Sequence, residues 1–294
     1  MVPNLTDEEL PEPFASADAA SRDGQRAYLR GTRLRLTFAI LSAVLALFSF
    51  EVGKGWDAAA LLVAFAFIAT LVVEVWMLAS KPERKWYDGR ALAESTKTLA
   101  WKYTVRGTPF TLTSSAESDG RRFVSEVEKL ISEVPSDSII VPAPVRITEH
   151  MQEVRDSPLD VRRDVYLKGR IENQQAWYSD KARYNAKMAD RWRIALIAIE
   201  GLGIVAAILK AAGLVPIDLP SVIAAALGAG SAWFAVRQHE ALGRAYTFAA
   251  NDLSTVYVRL QGAVGESSWA REVGDAEEAI SREHIMWRAS RGGA

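Results

Sequence analysis

There is no cysteine among the 294 residues. That excludes a disulfide framework, thiol chemistry and any Cys-ligated zinc or iron–sulfur centre. Histidine is almost as scarce: His150, His239 and His284 are the complete set, and no two stand at ligand spacing. His239-Glu240 opens like a zincin helix, but position 243 is Gly, so the second ligand is missing and no metal is expected. There is no Gly-x-Ser-x-Gly elbow and no phosphate loop, so no catalytic residue is assigned and the chain is expected not to be an enzyme. Charge of one sign is lacking too. A formal net charge of −1 gives no case for nucleic-acid binding. Gly201, Gly203 and Ala206 do match a dinucleotide fingerprint. A nucleotide fold would need further strands and helices after it, yet an eighteen-residue uncharged run and then a charged segment follow. No cofactor is expected. Gly201 and Gly203, with Gly228 and Gly230 in the next run, fit helix–helix contacts in lipid, where small residues let backbones approach.

What is present is segregation. Hydrophobic residues make up 49% and charged ones 24%, and they are not mixed evenly. Uncharged windows run over residues 36–50 and 58–73, the second continuing past Glu74 to Leu78. A third covers 194–214, interrupted by Glu200 and Lys210, and a fourth covers 219–236. A bilayer span needs about 20 apolar residues, with a lower limit near 17, so the first window is short. Four buried helices of a soluble bundle are the alternative. Such helices should show a polar face, and window 58–73 has one hydroxyl, Thr70. The windows also come in pairs joined by short loops containing Gly or Pro, as tight antiparallel hairpins do. The expected fold is all-α: two transmembrane hairpins, four transmembrane helices at about 36–50, 57–80, 194–214 and 217–237, and long cytoplasmic helices forming a bundle.

The basic residues set the orientation. Arg22, Arg26, Arg30, Arg33 and Arg35 precede the first window, and Lys81, Arg84, Lys85, Arg90 and Lys97 follow the second. Lys181, Arg183, Lys187, Arg191 and Arg193 precede the third, and Arg237 and Arg244 follow the fourth. The hairpin loops hold one Lys each, Lys54 and Lys210. Basic flanks stay inside, which places both termini and the centre in the cytoplasm. Trp56, Trp86, Trp192 and Trp233 lie near window edges, where aromatic belts form. Residues 1–20 are acidic and Pro-containing and are expected to be a flexible tail. A first hairpin unit then covers 21–110, a connector with an amphipathic helix 111–158, and a second hairpin unit 159–294. In the connector Phe123, Val127, Leu130, Ile131 and Val134 recur at helical spacing. Residues 159–193 are expected to run into the third window as one helix, and the fourth window to continue to about residue 260.

Short polar–aromatic words stand beside each hairpin. After the first come Trp86, Arg90, Glu94 and Lys97; before the third window come Arg170, Gln174, Trp177, Tyr178 and Lys181; His239-Glu240 and Glu283-His284 with Trp287 follow. In this placement the chain resembles the SLATT family, the SMODS- and SLOG-associating two-transmembrane effectors of bacteria. The resemblance covers about residues 25–110 and 160–290, as a tandem pair. It implies a multi-pass protein of the bacterial inner (plasma) membrane, in contact with lipid, that homo-oligomerises into a pore or ion channel in a nucleotide-signalled anti-phage or conflict system. It also implies a nucleotide second messenger or a separately encoded sensor protein as partner. The alternative is a non-conducting, membrane-anchored scaffold that recruits a cytoplasmic partner.

Two carboxylates fall inside the windows. Glu74 and Glu200 each lie about six residues from a cytoplasmic end, roughly 9 Å of helix. An unpaired charge at that depth is costly and usually faces a bundle interior or water. Both are candidates to line a pore, where an acidic ring would favour cations. The alternative is that they pair with flanking Arg35, Arg193 or Lys81, or reach the interface.

Overall fold

The computed structural model describes residues 5–49, 51–52, 55–112, 116–135 and 139–292, excepting the side chains of residues 51–52, 116 and 282–292. It is built from helices: α1 (Glu12–Leu45), α2 (Ala58–Ser80), α3 (Pro82–Thr104), α4 (Ala116–Glu133), α5 (Glu149–Asp156), α6 (Leu159–Tyr166), α7 (Asn173–Ala211), α8 (Leu219–Arg237), α9 (His239–Gly262) and α10 (Gly265–Gly292). The one sheet among the described residues is a two-residue pairing of β1 (Glu51–Val52) with β2 (Trp56–Asp57), antiparallel, with Val52 opposite Trp56. It closes the loop between α1 and α2.

The chain divides into two compact units. One, the charged unit, holds residues 1–25, 83–182 and 244–294; the other, the apolar unit, holds 26–82 and 183–243. All four uncharged windows fall in the apolar unit.

In the apolar unit, Asp57 starts α2 by accepting hydrogen bonds from the amides of Ala59 (2.8 Å) and Ala60 (3.3 Å), satisfying donors that a helix start leaves free. The helix then runs 23 residues, about 35 Å at 1.5 Å per residue. Three helical stretches are long and apolar enough to cross a membrane: Ala58–Thr104, Leu159–Ala211 and Leu219–Gly262. At most 11% of their most apolar windows is buried within the chain, so these surfaces face outward. Phe65, Phe67, Leu71 and Leu78 on α2 and Ile194, Ile197 and Ile204 on α7 are all exposed. Helix α1 is not in that set. Its apolar part ends at Leu45 with turns at 46–47 rather than reaching residue 50, and Arg30, Arg33 and Arg35 stand just before it.

In the charged unit a continuous core forms where apolar residues recur at 3.6-residue spacing. Leu92, Ala100 and Trp101 of α3, Phe123 and Val127 of α4, Leu253, Val256 and Leu260 of α9, and Trp269, Val273 and Ile280 of α10 are buried together. Residues 5–20, acidic enough to be expected as a flexible tail, join this core instead. Leu5, Leu10, Phe14 and Ala17 are buried in it, a Thr6–Glu9 capping box orders the entry, and α1 already begins at Glu12. Four apolar anchors at suitable spacing outweigh the surrounding acids. Gly89 lets α3 cross α1: a Cβ there would stand 2.7 Å from the Ser21 amide nitrogen and 2.8 Å from the Ala17 carbonyl oxygen.

Two departures concern helix continuity. The approach to the third window is helical throughout, but it passes through six π-helical residues, Leu167–Glu172, between α6 and α7. The exit from the fourth window is interrupted where a continuous helix was expected. Gln238 turns left-handed at φ 48°, as Lys81 does at φ 43° after the second window, and each amide bonds back four residues, to Phe234 and Met77. Both exits therefore break at one non-glycine residue.

Candidate functional site

The two carboxylates within the apolar windows have different surroundings. Glu74 accepts a 2.7 Å hydrogen bond from Arg35 of α1, the pairing left open by the sequence. Glu200 is exposed on the apolar part of α7 and has no hydrogen-bond or ion-pair partner among the described residues. Neighbouring Gly201 would place a Cβ in open space, as would Gly228 on α8. Gly203 and Gly230 do make close helix contacts: a Cβ at Gly203 would lie 3.3 Å from Ile223, and one at Gly230 3.2 Å from Leu196. At the far end, Lys210 pairs with Asp218, which also accepts from Ser221 at 2.5 Å.

His239 stands at the start of α9, buried, with Nδ1 2.7 Å from Asn185 Oδ1 and its ring edge-on to Tyr184. Its neighbour Glu240 pairs with Arg193 at 2.6 Å. These contacts give both residues of the truncated zincin word structural partners. Glu283, His284 and Trp287 have side chains outside the described residues.

In the charged unit the words of both halves meet on one indole. Trp177 packs edge-on against Tyr178 and Tyr246, with Arg90 5.9 Å and Lys181 5.5 Å from its ring centre. Arg90 also pairs with Glu94 at 2.8 Å, one helical turn on. Lys97 reaches Asp7 at 2.5 Å and lies 5.4 Å from the Phe14 ring, tying α3 to the N-terminal segment. Trp86 supplies the backbone oxygen that accepts from Ser21, and Gln174 is buried.

A row of buried arginines runs beside this cluster. Arg155, Arg162 and Arg170 are 1–2% exposed and come from three successive elements, α5, α6 and the π-helical turn. Arg155 pairs with Asp119 of α4 and donates to the Tyr103 carbonyl at 2.5 Å. Arg162 pairs with Glu266 of α10 and donates to the Val105 carbonyl at 3.1 Å, which also accepts from the Trp269 indole at 2.8 Å.

Arg170, in the π-helical turn, forks onto Glu277 with 3.0 and 2.9 Å hydrogen bonds. Glu277 accepts two more, from Tyr166 and Thr98, both at 3.0 Å, so this fully buried carboxylate has four donors. Burial alone would lower the Arg170 guanidinium; the charge and hydrogen bonds of Glu277 outweigh it and hold the group firmly protonated. Burial, then the nearby Glu277 charge, pushes the Tyr166 hydroxyl well above its ordinary range.

Of these residues the sequence singled out only Arg170. Arg155 and Arg162 carry no such local signal, because Ser157-Pro158 separates their helices and breaks the helical period. Glu277 is an acid inside the apolar stripe Trp269, Val273, Ala276 and Ile280, a position where a charge needs a partner.

Comparison with known families places these features. A family model for the SMODS and SLOG-associating 2TM effector domain 3 matches residues 11–163, and one for domain 1 of the same series matches residues 166–287. No curated protein and no solved structure matches the chain. The first match begins at the packed N-terminal segment and includes α4 and α5, so the connector belongs to the first domain. The two matches also meet just before the π-helical turn, and Thr98 of the first domain and Arg170 of the second share Glu277. The chain is a tandem member of the SLATT family, carrying two 2TM effector domains one after the other.

Proposed function

We propose that this protein is a non-enzymatic bacterial membrane effector whose copies assemble around a cation-conducting pore in a conflict system. The observation that carries the reading is Glu200: a carboxylate on the apolar part of α7 without a partner among the described residues. An ionised group at the centre of a membrane helix costs about 2.5–3.5 kcal/mol on insertion scales. Glu74 meets that cost with Arg35; Glu200 meets it if several copies bring their α7 helices around water. Outward-facing apolar surfaces on three helices support assembly or lipid contact rather than a folded pore within one chain. The reading therefore keeps Glu200 as the pore-lining residue and makes Glu74 a structural ion pair.

Four passes fit this reading despite the short first window. The β1–β2 pairing returns the chain directly, and the Arg35–Glu74 bond sets α1 beside α2. Neutralising Arg35 lets α1 sit deeper than its uncharged run alone would. Basic flanks keep both termini in the cytoplasm, in the inner membrane. The family's description as SMODS- and SLOG-associating supports a signal that arrives through a partner protein. Projection images of the full chain in detergent test the assembly: symmetric rings with a central channel are expected, and uniformly monomeric particles would leave only a membrane-anchored scaffold.

A further inference from the structure

Two arginines of the apolar unit share one indole. Arg33 of α1 stands 5.3 Å, and Arg237 of α8 5.8 Å, from the ring centre of Trp233. Neither guanidinium has a hydrogen-bond or ion-pair partner among the described residues. Bringing two like charges to one ring is unfavourable, and stacking on an indole offsets this only partly. An anion between them would complete the arrangement.

Position specifies the anion. Arg33 lies three residues before the first uncharged window and Arg237 directly after the fourth, so both sit at cytoplasmic window edges. Trp233, three residues inside its window, is at the depth where indoles anchor. The guanidinium fork matches a phosphate oxygen pair. Leu34 and Leu41, two turns apart on α1, are 48% and 42% exposed and offer an acyl chain an apolar track leading away from Arg33. Basic pockets between membrane helices on the cytoplasmic side take such headgroups.

We infer that Arg33, Trp233 and Arg237 form a binding site for the phosphodiester headgroup of an anionic phospholipid. The inference rests on the membrane placement above and not on conduction. The site joins one helix from each SLATT domain, so an occupied site would clasp the two halves at the membrane surface.

Native mass spectrometry of the full chain in neutral detergent tests this, with short-chain phosphatidylglycerol and phosphatidylcholine as probes. Selective phosphatidylglycerol adducts are expected. The Arg33→Gln/Arg237→Gln double variant should bind roughly 30-fold more weakly, at about one surface charge contribution per arginine. Arg22→Gln, a control whose arginine already pairs with Asp18 at 3.1 Å, should bind as the wild type does. Circular dichroism checks that helicity is kept; if the double variant loses it, Arg33→Gln alone, at an exposed position, should still bind roughly fivefold more weakly. Equal binding of the two lipids, full binding by the helical variants, or equal loss in Arg22→Gln would overturn the site. Competition by millimolar inorganic phosphate would assign it to a soluble phosphate and overturn the lipid. Conductance measured on the same preparations separates the two proposals: leak without lipid preference removes this site alone, and lipid preference without leak removes the pore alone.

Discussion

Glu277 shows how much one residue can be asked to hold. It is fully buried, accepts four hydrogen bonds and neutralises Arg170. Removing one partner of a buried pair typically costs about 3–5 kcal/mol, because the other charge is left uncompensated. Glu277→Ala should therefore lower stability by that order, measured by thermal loss of helicity in detergent. The double variant Arg170→Met/Glu277→Leu should recover much of the loss, since no bare charge remains. If the double variant is as unstable as the single one, the pair is not acting through charge. Tyr166 gives a pH signature of the same site. Its folded-state pKa is raised, so its contribution is complete below about pH 10, the unfolded value, and is lost as pH rises above it. Tyr166→Phe should flatten the alkaline limb of the stability curve. An unchanged limb would mean that other groups govern it. Glu277 was illegible in the sequence because an acid in an apolar stripe states a need for a partner without naming it. The partner, Arg170, lies 107 residues away.

At the scale of elements, contrast among glycines is the clearest test. Gly89→Ala should destabilise by roughly 1–3 kcal/mol, since its Cβ meets the backbone of Ser21 and Ala17, which cannot rotate away. Gly201→Ala and Gly228→Ala, facing open space, should leave the stability of the isolated chain unchanged or slightly raised through helix propensity. Chemical denaturation of the variants side by side separates the classes, and equal effects would contradict the packing described. The helices themselves were legible because hydrophobic period and charge segregation act locally. α2, α4 and the long approach into α7 follow the expected positions. Their interruptions were not legible. Neither Lys81 nor Gln238 carries the glycine that ordinarily marks a left-handed turn, and the π-helical turn carries Arg170, whose partner Glu277 is remote in sequence. The N-terminal segment misled for a related reason: its acids dominate the composition, while Leu5, Leu10, Phe14 and Ala17 decide its packing.

Across the whole molecule, the tandem arrangement is interlocked and not merely consecutive. The core of the charged unit draws Trp101, Phe110 and Phe123 from one matched domain and Tyr166, Trp269 and Val273 from the other. Residues 1–163 or 164–294 expressed alone should aggregate, and co-expression should restore an extractable complex; a stable single half would show that each domain folds independently. Membrane segregation and family membership were legible from the chain. What Glu200 does was not, because in the proposed assembly its surroundings come from other copies. Ion flux through liposomes holding the full-length protein addresses that most directly. The account predicts a protein-dependent leak that favours cations, with the preference weakened by Glu200→Gln and kept by Glu74→Gln. Absence of leak at every protein-to-lipid ratio, or a preference indifferent to Glu200, would contradict it.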